Sequence, residues 1–479
     1  MSKDSSIRVR FAPSPTGIMH LGNVRTALLN YLFAQQKKGS CILRIEDTDP
    51  DRNFDPNAVR LQDDLAWLDF SFNEGPKNGG PYAPYFQSQR SELYQKQLEI
   101  LQEKQSVYRC FCSTQELERK RERALALHSA PRYDRTCLHL SQSAIEEQLT
   151  KGTPYIWRFK IPDDHIVEVN DLAHGIIKFD LNHFSDFPVS RSDGSFTFLF
   201  ANCVDDMLMN ITHVLRGEDH LSNTANQVLL FTTFGKQAPL FWHLPILCNV
   251  DGKKLSKRDF GFALADLRNE GFLPEAIINY LAILGGSFTQ EIMDVPTLIN
   301  TLNFDAIKPT RNIKYDVEKL RWVNQHWIQR YDISTLLELL KPIIFKSYPQ
   351  LQEYTDQALK SLLEVVKSEL VTLHDSVPAL HFYCVEPTIT HDTIREHVPA
   401  ELQEQFFALL KKHLPLLSNH EDFLAITKKD AQILGINPKL FFTIMRIIIS
   451  GSAKGPALKD IITLLGEKRI AERIMKIVG

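Results

Sequence analysis

The sequence lacks any uninterrupted apolar run long enough to cross a membrane. Its most apolar late segment, Leu440 to Ile449, contains Arg446 and is about half the length that a membrane-spanning helix needs. The residues before the first predicted strand also contain no apolar signal region. Both observations predict a cytoplasmic protein.

Cysteine and net charge are scarce as well. The seven cysteines are a sparse and odd-numbered set, which argues against a disulfide framework. The formal net charge is −3, so overall electrostatics give no support for a nucleic-acid partner, and any such contact must use local patches. The 479 residues are too many for one ordinary core and predict roughly two to four domains.

What the sequence does have is an early stretch, Arg10 to Asn23, between a predicted strand and a predicted helix. Pro13, Pro15 and Gly17 interrupt regular structure there. A strand–loop–helix unit of this kind presents backbone N–H groups and a helix N-terminus to phosphate groups. On its own, the stretch is equally consistent with a simple connector.

A second stretch, Gly252 to Arg258, carries four cations within six residues and begins at a glycine. Such a loop suits a polyphosphate, because lysine and arginine neutralise its charge. A solvated surface charge run is the alternative interpretation.

Together the two stretches resemble the signature pair of the class I aminoacyl-tRNA synthetases. His20-Leu21-Gly22-Asn23 is similar to their HIGH motif, and Lys254-Leu255-Ser256-Lys257-Arg258 is similar to their KMSKS loop. The sequence Ala-Pro-Ser-Pro-Thr-Gly before the first motif is that of the glutamyl/glutaminyl branch. The resemblance covers most of the chain and is closest to the bacterial glutamyl-tRNA synthetases.

The resemblance implies that ATP and L-glutamate form glutamyl-adenylate, with Mg²⁺ shared by the polyphosphate, and that glutamate then passes to the 3′ end of tRNA(Glu). The catalytic residues that it implies are His20, Lys254 and Lys257. The ATP-binding residues that it implies are Pro13, Thr16, Gly17, His20, Gly22, Asn23, Lys254, Ser256, Lys257 and Arg258.

Charged side chains also follow two predicted strands, where a parallel sheet has its ligand crevice. Glu46 follows the strand that begins at Ser40, and Arg216 follows the strand predicted from Ile211 to Leu215. A turn cluster around Glu46 and a structural ion pair at Arg216 are the alternatives. The glutamate-binding residues that the resemblance implies are Arg10, Ala12, Ser14, Glu46, Phe198, Asn202 and Arg216.

Within this set, Arg10 and Arg216 would hold the side-chain carboxylate, and Asn202 would meet the α-carboxylate. Relatives specific for glutamine are expected to have an uncharged residue in place of Arg216. Phe198 departs from the tyrosine that is frequent in the family, which removes one hydroxyl near the substrate.

Three thiols and one imidazole form two close pairs, Cys110 with Cys112 and Cys137 with His139. These residue types can close a tetrahedral zinc site, although buried structural cysteines give the same pattern. The spacing Cys-x-Cys-x24-Cys-x-His matches the zinc-containing bacterial glutamyl enzymes. The resemblance therefore implies one structural Zn²⁺.

The implied fold is α/β, with a Rossmann-like catalytic domain, an insertion that binds the tRNA acceptor end, and an all-α anticodon-binding region. An aromatic alternating strand is predicted over residues 195–202, and Trp322 and Trp327 are expected in the core. A monomer is expected. The predicted domains are residues 1–110 and 196–258 (catalytic), 111–195 (zinc-bearing insertion), 259–330 (stem contact) and 331–479 (all-helical).

Several alternatives stay open at this level. A glutaminyl enzyme is opposed by Arg216 and by the helical tail, because glutaminyl relatives carry β-barrels there. A nucleotidyltransferase of the same superfamily would not need the long insertion and tail. A non-catalytic tRNA-binding paralogue is opposed by His20, Lys254 and Lys257. A non-discriminating enzyme that also charges tRNA(Gln) has the same residues in all these positions.

Overall fold

The computed structural model describes residues 6–479 except 50, 52, 257, 286–287, 289, 305–306, 308–312 and 397–399. The chain divides into two compact units. The first unit contains residues 1–267 and 278–317, and the second contains residues 268–277 and 318–479.

Short strands form the sheets of the first unit. In chain order the strands are β1 (Arg8–Phe11), β2 (Ser40–Leu43), β3 (Val107–Cys110), β4 (Ile156–Phe159), β5 (Ile166–Asp171), β6 (Gly175–Asp180), β7 (His213–Gly217), β8 (Leu240–Leu244), β9 (Leu247–Cys248) and β10 (Ile313–Lys314).

The strand pairs β1–β2, β5–β8 and β7–β8 are parallel. β1 pairs with β2 in parallel, and a four-stranded sheet has the order β6-β5-β8-β7, in which β7 and β8 are parallel. The backbone N–H of Thr212 donates to Arg8 O at 2.9 Å, which joins the start of β1 to the residue before β7. The carboxyl ends of β1, β7 and β8 therefore lie at one edge, where parallel α/β sheets have their ligand crevice.

Helices follow these strands in the first part of the chain. They are α1 (Leu21–Gln36), α2 (Val59–Trp67), α3 (Ser91–Glu103), α4 (Thr114–Ala126), α5 (Gln142–Thr150), α6 (Phe198–Leu208), α7 (Leu221–Thr233), α8 (Leu264–Asn269), α9 (Pro274–Ile283) and α10 (Val295–Thr301).

The strand predicted over residues 195–202 is wrong, because Phe198 begins α6. Alternating aromatic residues fit a strand, but α6 buries the consecutive residues Phe200 to Asp206 and is therefore enclosed on several sides. A short segment of that kind has no amphipathic period by which a helix can be distinguished from a strand.

The second unit is helical. Its helices include α11 (Val317–Arg330), α12 (Ile333–Ser347), α13 (Asp356–Val366), α14 (Ser376–Cys384), α15 (His391–Arg395), α16 (Ala400–His413), α17 (His420–Ile433), α18 (Pro438–Ser450) and α19 (Leu458–Val478).

On α11, Trp327 is buried as predicted, whereas Trp322 is 37% exposed and the prediction of a core position is wrong. The Lys319 ammonium lies 3.9 Å from the centre of the Trp322 ring, so a cation covers the ring instead of apolar side chains. Within the described residues, no helix has both the length and the apolar character needed to span a bilayer.

Candidate functional site

A crevice of about 660 Å³ opens in the first unit at the carboxyl ends of β1, β7 and β8. The loop between β1 and α1 forms one wall, and Lys254, Leu255, Ser256 and Phe262 contribute to another. The crevice brings together these predicted site residues: Arg10, Ala12, Pro13, Ser14, Thr16, His20, Gly22, Asn23, Glu46, Phe198, Asn202, Arg216, Lys254 and Ser256.

Three predicted ATP-binding residues stand apart from that set. Gly17 and Arg258 do not line the crevice, and Lys257 lies outside the described residues. Gly17, in the loop between β1 and α1, has a φ of +75°, which is in the left-handed region that favours glycine.

His20 is the N-cap of α1, and its Nδ1 accepts a hydrogen bond from the backbone N–H of Asn23 at 3.2 Å. Burial, followed by the nearby Lys254 ammonium, lowers the pKa of His20, so the ring is neutral near pH 7. Because Nδ1 accepts, Nε2 carries the proton and is a hydrogen-bond donor. A side chain at Gly22 would come within 3.1 Å of this ring, so glycine permits the ring position.

Backbone contacts join the two motifs. Met19 O accepts from the backbone N–H of Leu264 at 2.8 Å, and Phe262 O accepts from that of Leu21 at 3.0 Å. The rings of His20 and Phe262 stack with centroids 5.3 Å apart. The start of α1 is therefore attached to the chain that follows the cationic loop.

The cationic loop meets the end of β7 through Lys254, whose Nζ lies 3.1 Å from Asp219 Oδ2. Within the loop, the backbone N–H and the hydroxyl of Ser256 both donate to Asp259 Oδ2 at 2.8 Å. Lys254 and Ser256 face the same crevice as His20. This arrangement places a cation, a neutral imidazole donor and a helix N-terminus around one space, which is suited to a polyphosphate.

The two predicted guanidinium groups differ in their electrostatic surroundings. Arg10 Nε donates to both oxygens of Asp206, at 3.1 and 3.2 Å, and Arg44 also donates to Asp206. Burial alone would raise the pKa of Asp206, but the two guanidinium groups reverse this effect and hold the pKa below its usual range. Arg10 is therefore charge-compensated within the protein.

Arg216 has no such partner. Its hydrogen bonds go to His243 Nε2, the Thr224 hydroxyl, the Gln227 side-chain carbonyl and the His220 backbone carbonyl. Among the described residues no carboxylate lies within salt-bridge distance of it, and only 6% of its surface is exposed. Burial, with the neighbouring Arg10, lowers the pKa of Arg216 to about 9. A buried cation without a counterion favours an anionic ligand.

Beside Arg216, buried hydrogen bonds connect Gln227, Asn202 and Glu46. The Asn202 amide group donates to Glu46 Oε1, and Asn202 Oδ1 accepts from Gln227 at 2.7 Å. Glu46 also accepts from Arg44 at 3.0 Å. Gln227 and Asp219 were not among the site residues predicted from the sequence, because each lies in a helical segment without a motif of its own.

Cys110, Cys112 and Cys137 form a cluster whose sulfur atoms lie within 4.8 Å of one another. His139, the predicted fourth ligand, is exposed and is not part of this cluster. Cys137 and His139 lie in the same short 3₁₀ turn (Thr136–His139), in which side chains two positions apart face different directions. Three of the four predicted ligands therefore lie together in the structure, and His139 lies apart from them.

Tyr133, which was not predicted as a site residue, lies among the three thiols. Its hydroxyl is 3.3 Å from Cys110 Sγ and 3.6 Å from Cys112 Sγ, and it accepts from the backbone N–H of Cys137 at 3.1 Å. Three sulfur atoms and one oxygen form a donor set of a kind that binds Zn²⁺. The sequence signal for this contact is that a tyrosine stands four residues before Cys137.

Residues 6–322 match the family described as tRNA synthetases class I (E and Q), catalytic domain, and residues 335–478 match an anticodon binding domain. The chain is 37% identical to the glutamate--tRNA ligase of Natranaerobius thermophilus, covering 98% of this chain and 97% of that one. It is 33% identical to the glutamate--tRNA ligase of Bacillus pumilus, covering 99% and 100%.

Solved structures show the same similarity. The crystal structure of a glutamate tRNA ligase from Elizabethkingia meningosepticum, in complex with its amino acid, superposes with a TM-score of 0.88 at 30% identity over 99% of both chains. The glutamate-tRNA synthetase from Elizabethkingia anophelis superposes with a TM-score of 0.85 at 31% identity, over 98% of this chain and 99% of that chain.

Proposed function

The chain belongs to the class I tRNA synthetases of the glutamate and glutamine group, and we propose that it is a glutamate--tRNA ligase that uses ATP. In this reaction the α-carboxylate of glutamate attacks the α-phosphorus of ATP and pyrophosphate leaves. The glutamyl group then passes to the terminal ribose of tRNA. The chemistry needs little covalent help from the protein and depends on positioning and charge neutralisation.

The unpaired charge of Arg216 is the observation that carries the choice of substrate. Glutamate brings a side-chain carboxylate, which supplies the missing counterion, whereas glutamine brings a neutral amide. A buried guanidinium facing an amide would remain an uncompensated charge, which costs about 3–5 kcal/mol. The pocket is therefore suited to glutamate.

We assign roles to the other residues of the pocket from their positions. Arg10 assists Arg216 at the side-chain carboxylate, and Asn202 contacts the α-carboxylate. Glu46 lies beside the substrate ammonium, which it complements by charge. Ala12, Ser14 and Phe198 complete the walls of the pocket.

In the ATP half of the crevice, His20 donates from Nε2 to the phosphates, and the start of α1 adds its backbone N–H groups. Lys254 stabilises the charge that develops on the departing pyrophosphate, and Lys257 has the same role by its place in the motif. Mg²⁺, carried by the phosphate oxygens, would neutralise part of the polyphosphate charge. Pro13, Thr16, Gly17, Gly22, Asn23, Ser256 and Arg258 would shape this half.

For the metal, Cys110, Cys112 and Cys137 fit a structural Zn²⁺ site, with the Tyr133 hydroxyl as the fourth donor. When bound, the ion would cross-link the end of β3 to the turn that carries Cys137. Four protein donors leave no open coordination position, so the role would be structural.

Both matched domains imply a tRNA partner, and we propose that it is tRNA(Glu). We propose that residues 111–195 contact the acceptor end, residues 259–330 the stem, and residues 331–479 the anticodon, with catalytic residues in 1–110 and 196–258. We propose that the protein acts as a monomer.

The test is aminoacylation of purified tRNA(Glu) and, separately, of tRNA(Gln), with labelled glutamate and, in parallel reactions, with labelled glutamine. Charging of tRNA(Glu) alone would establish a discriminating ligase, and charging of both would establish a non-discriminating one. If glutamine were charged in place of glutamate, the assignment of Arg216 would be wrong. If neither tRNA were charged, the proposed activity would be rejected.

A further inference from the structure

Next to Arg216, and outside the lining of the crevice, lies a buried hydrogen-bonded pair formed by Asp171 and His243. Asp171 Oδ2 is 2.6 Å from His243 Nδ1, and His243 Nε2 is 3.4 Å from Arg216 Nε. Thr224 closes the arrangement, because its hydroxyl is 2.9 Å from His243 Nε2 and accepts from Arg216 Nη2 at 2.6 Å. None of these contacts belongs to the catalytic roles assigned above.

The fold holds Asp171 firmly. It is the last residue of β5, is 4% exposed, and lies opposite Phe241 of β8 in the parallel register. His243 is two residues further along β8 and therefore on the same face as Phe241. Asp171 Oδ1 accepts from the backbone N–H groups of Ala173 and His174, both at 2.9 Å, so the carboxylate has little freedom to turn.

These bonds determine which nitrogen of His243 carries the proton. Asp171 is a carboxylate and can only accept, so Nδ1 of His243 is the donor. Burial lowers the pKa of His243, although the hydrogen bond to Asp171 opposes this effect. The neutral ring therefore presents an unprotonated Nε2, which can accept from the Thr224 hydroxyl at 2.9 Å and from the Arg216 Nε–H group at 3.4 Å.

A neutral acceptor solves a specific problem in this pocket. A carboxylate placed directly on Arg216 would fix the guanidinium but would also cancel the charge that attracts the substrate. The imidazole satisfies the Nε–H group without adding a counterion. The described hydrogen bonds of Arg216 are made by Nε and Nη2, and none of the described residues accepts from Nη1.

We propose that His243, oriented by Asp171, is a positioning residue that fixes the plane of the Arg216 guanidinium for binding the side-chain carboxylate of glutamate. The proposal rests on the proposed function, in which Arg216 contacts that carboxylate. It extends glutamate recognition to two residues outside the crevice lining, one of them on the hairpin formed by β5 and β6.

Two substitutions separate this role from a purely structural one. In His243→Asn the amide replaces Nδ1, so the bond to Asp171 is kept and the acceptor for Arg216 is lost. In His243→Gln the amide oxygen replaces Nε2, so the acceptor is kept and the side-chain bond to Asp171 is lost, while the backbone N–H of residue 243 still donates to Asp171. If His243 only attached the hairpin, His243→Asn would be the less damaging substitution. If His243 positions Arg216, His243→Gln would be the less damaging one.

The experiment measures aminoacylation of tRNA(Glu) by the full-length protein, with separate KM values for glutamate and ATP. We expect His243→Asn to raise the KM for glutamate about 10–100-fold, the scale of one hydrogen bond to a charged group. We expect His243→Gln to raise it less than about fivefold, since the acceptor is retained. The KM for ATP should stay near the wild-type value in both variants.

His213→Gln is the matched control, because His213 lies on the neighbouring strand β7 and does not line the crevice. A larger effect of His243→Gln than of His243→Asn, or a parallel rise in the KM for ATP, would overturn the positioning role. Wild-type protein that failed to charge glutamate at all would instead reject the proposed function and, with it, the basis of this proposal.

Discussion

Lys254 reaches across the crevice to Asp219, with 3.1 Å between Nζ and Oδ2. The two residues belong to different parts of the site, since Asp219 follows β7 and Lys254 lies in the cationic loop. Burial tends to raise the pKa of Asp219, but the hydrogen bond from Lys254 reverses this and lowers the pKa. The carboxylate therefore stays ionised and holds the ammonium at the edge of the crevice that contains His20.

We expect Lys254→Ala to lower kcat for aminoacylation by about 10²–10³, the scale for losing one electrostatic donor in a transition state. Rapid-quench measurement of glutamyl-adenylate formation in the presence of tRNA would locate the effect at the first step. Lys253→Ala, the exposed neighbouring lysine, is the control and should behave like wild type. Similar activity of both variants would remove Lys254 from the mechanism. The same loss is predicted for Lys257→Ala.

Replacing Arg216 should separate binding from stability. We expect Arg216→Gln to lower kcat/KM for glutamate by about 10²–10³, because a buried charge interaction with the substrate is lost. Removing an uncompensated buried cation should leave the melting temperature unchanged or raise it. Thermal denaturation and aminoacylation together test both expectations.

Arg10→Gln is the informative comparison for that variant. It removes a guanidinium that Asp206 does compensate, so it should lower the melting temperature as well as activity. A fall in stability for Arg216→Gln as large as that for Arg10→Gln would contradict the description of Arg216 as unpaired.

The metal ligands can be distinguished by zinc content. Cys110→Ser should release the ion from protein that otherwise carries about one zinc per chain, because a thiolate is lost. Tyr133→Phe should weaken retention against a chelator, while His139→Ala should not. Zinc loss in His139→Ala together with full retention in Tyr133→Phe would restore the donor set predicted from the sequence.

Acid should weaken the helical unit through Glu386. Its carboxylate accepts from Arg473 at 3.1 and 3.2 Å and from Arg469 at 3.0 Å. Arg473 mainly, with Arg469, lowers the pKa of Glu386 to about 2 from an ordinary value of 4.5. A lowered pKa contributes stability that is complete above pH 4.5 and is lost as the pH falls towards 2.

We therefore expect Glu386→Gln to lower the urea midpoint at pH 7 and to reduce its further decrease between pH 4.5 and 3. The effect should be modest, because half of the carboxylate is exposed. Circular dichroism of the full-length protein in urea, with Glu364→Gln as an exposed control on α13, measures it. Equal pH dependence in wild type and Glu386→Gln would exclude this ion pair as an acid-sensitive contact.

Predictions from the sequence succeeded where a few neighbouring residues decide the structure. The strand at Arg8–Phe11, the loop with Gly17 and the helix that begins after His20 depend on local preferences and short-range hydrogen bonds. The strand predicted at residues 195–202 failed because its burial comes from elements distant in the chain. Trp322 was misplaced for the same reason, since amino-acid type does not state which face of α11 is covered.

By itself, the sequence determined the family, the two motifs and the residue types proposed to bind ATP and glutamate, because these are properties of short contiguous segments. Tertiary structure alone decided that Arg10 is paired with Asp206, 196 positions away, while Arg216 is left with neutral partners. It also decided that Tyr133, and not His139, joins the thiols. Charge compensation and the arrangement of metal donors depend on which side chains from distant parts of the chain share a buried space. The order of residues along the chain does not state how far apart two such side chains lie.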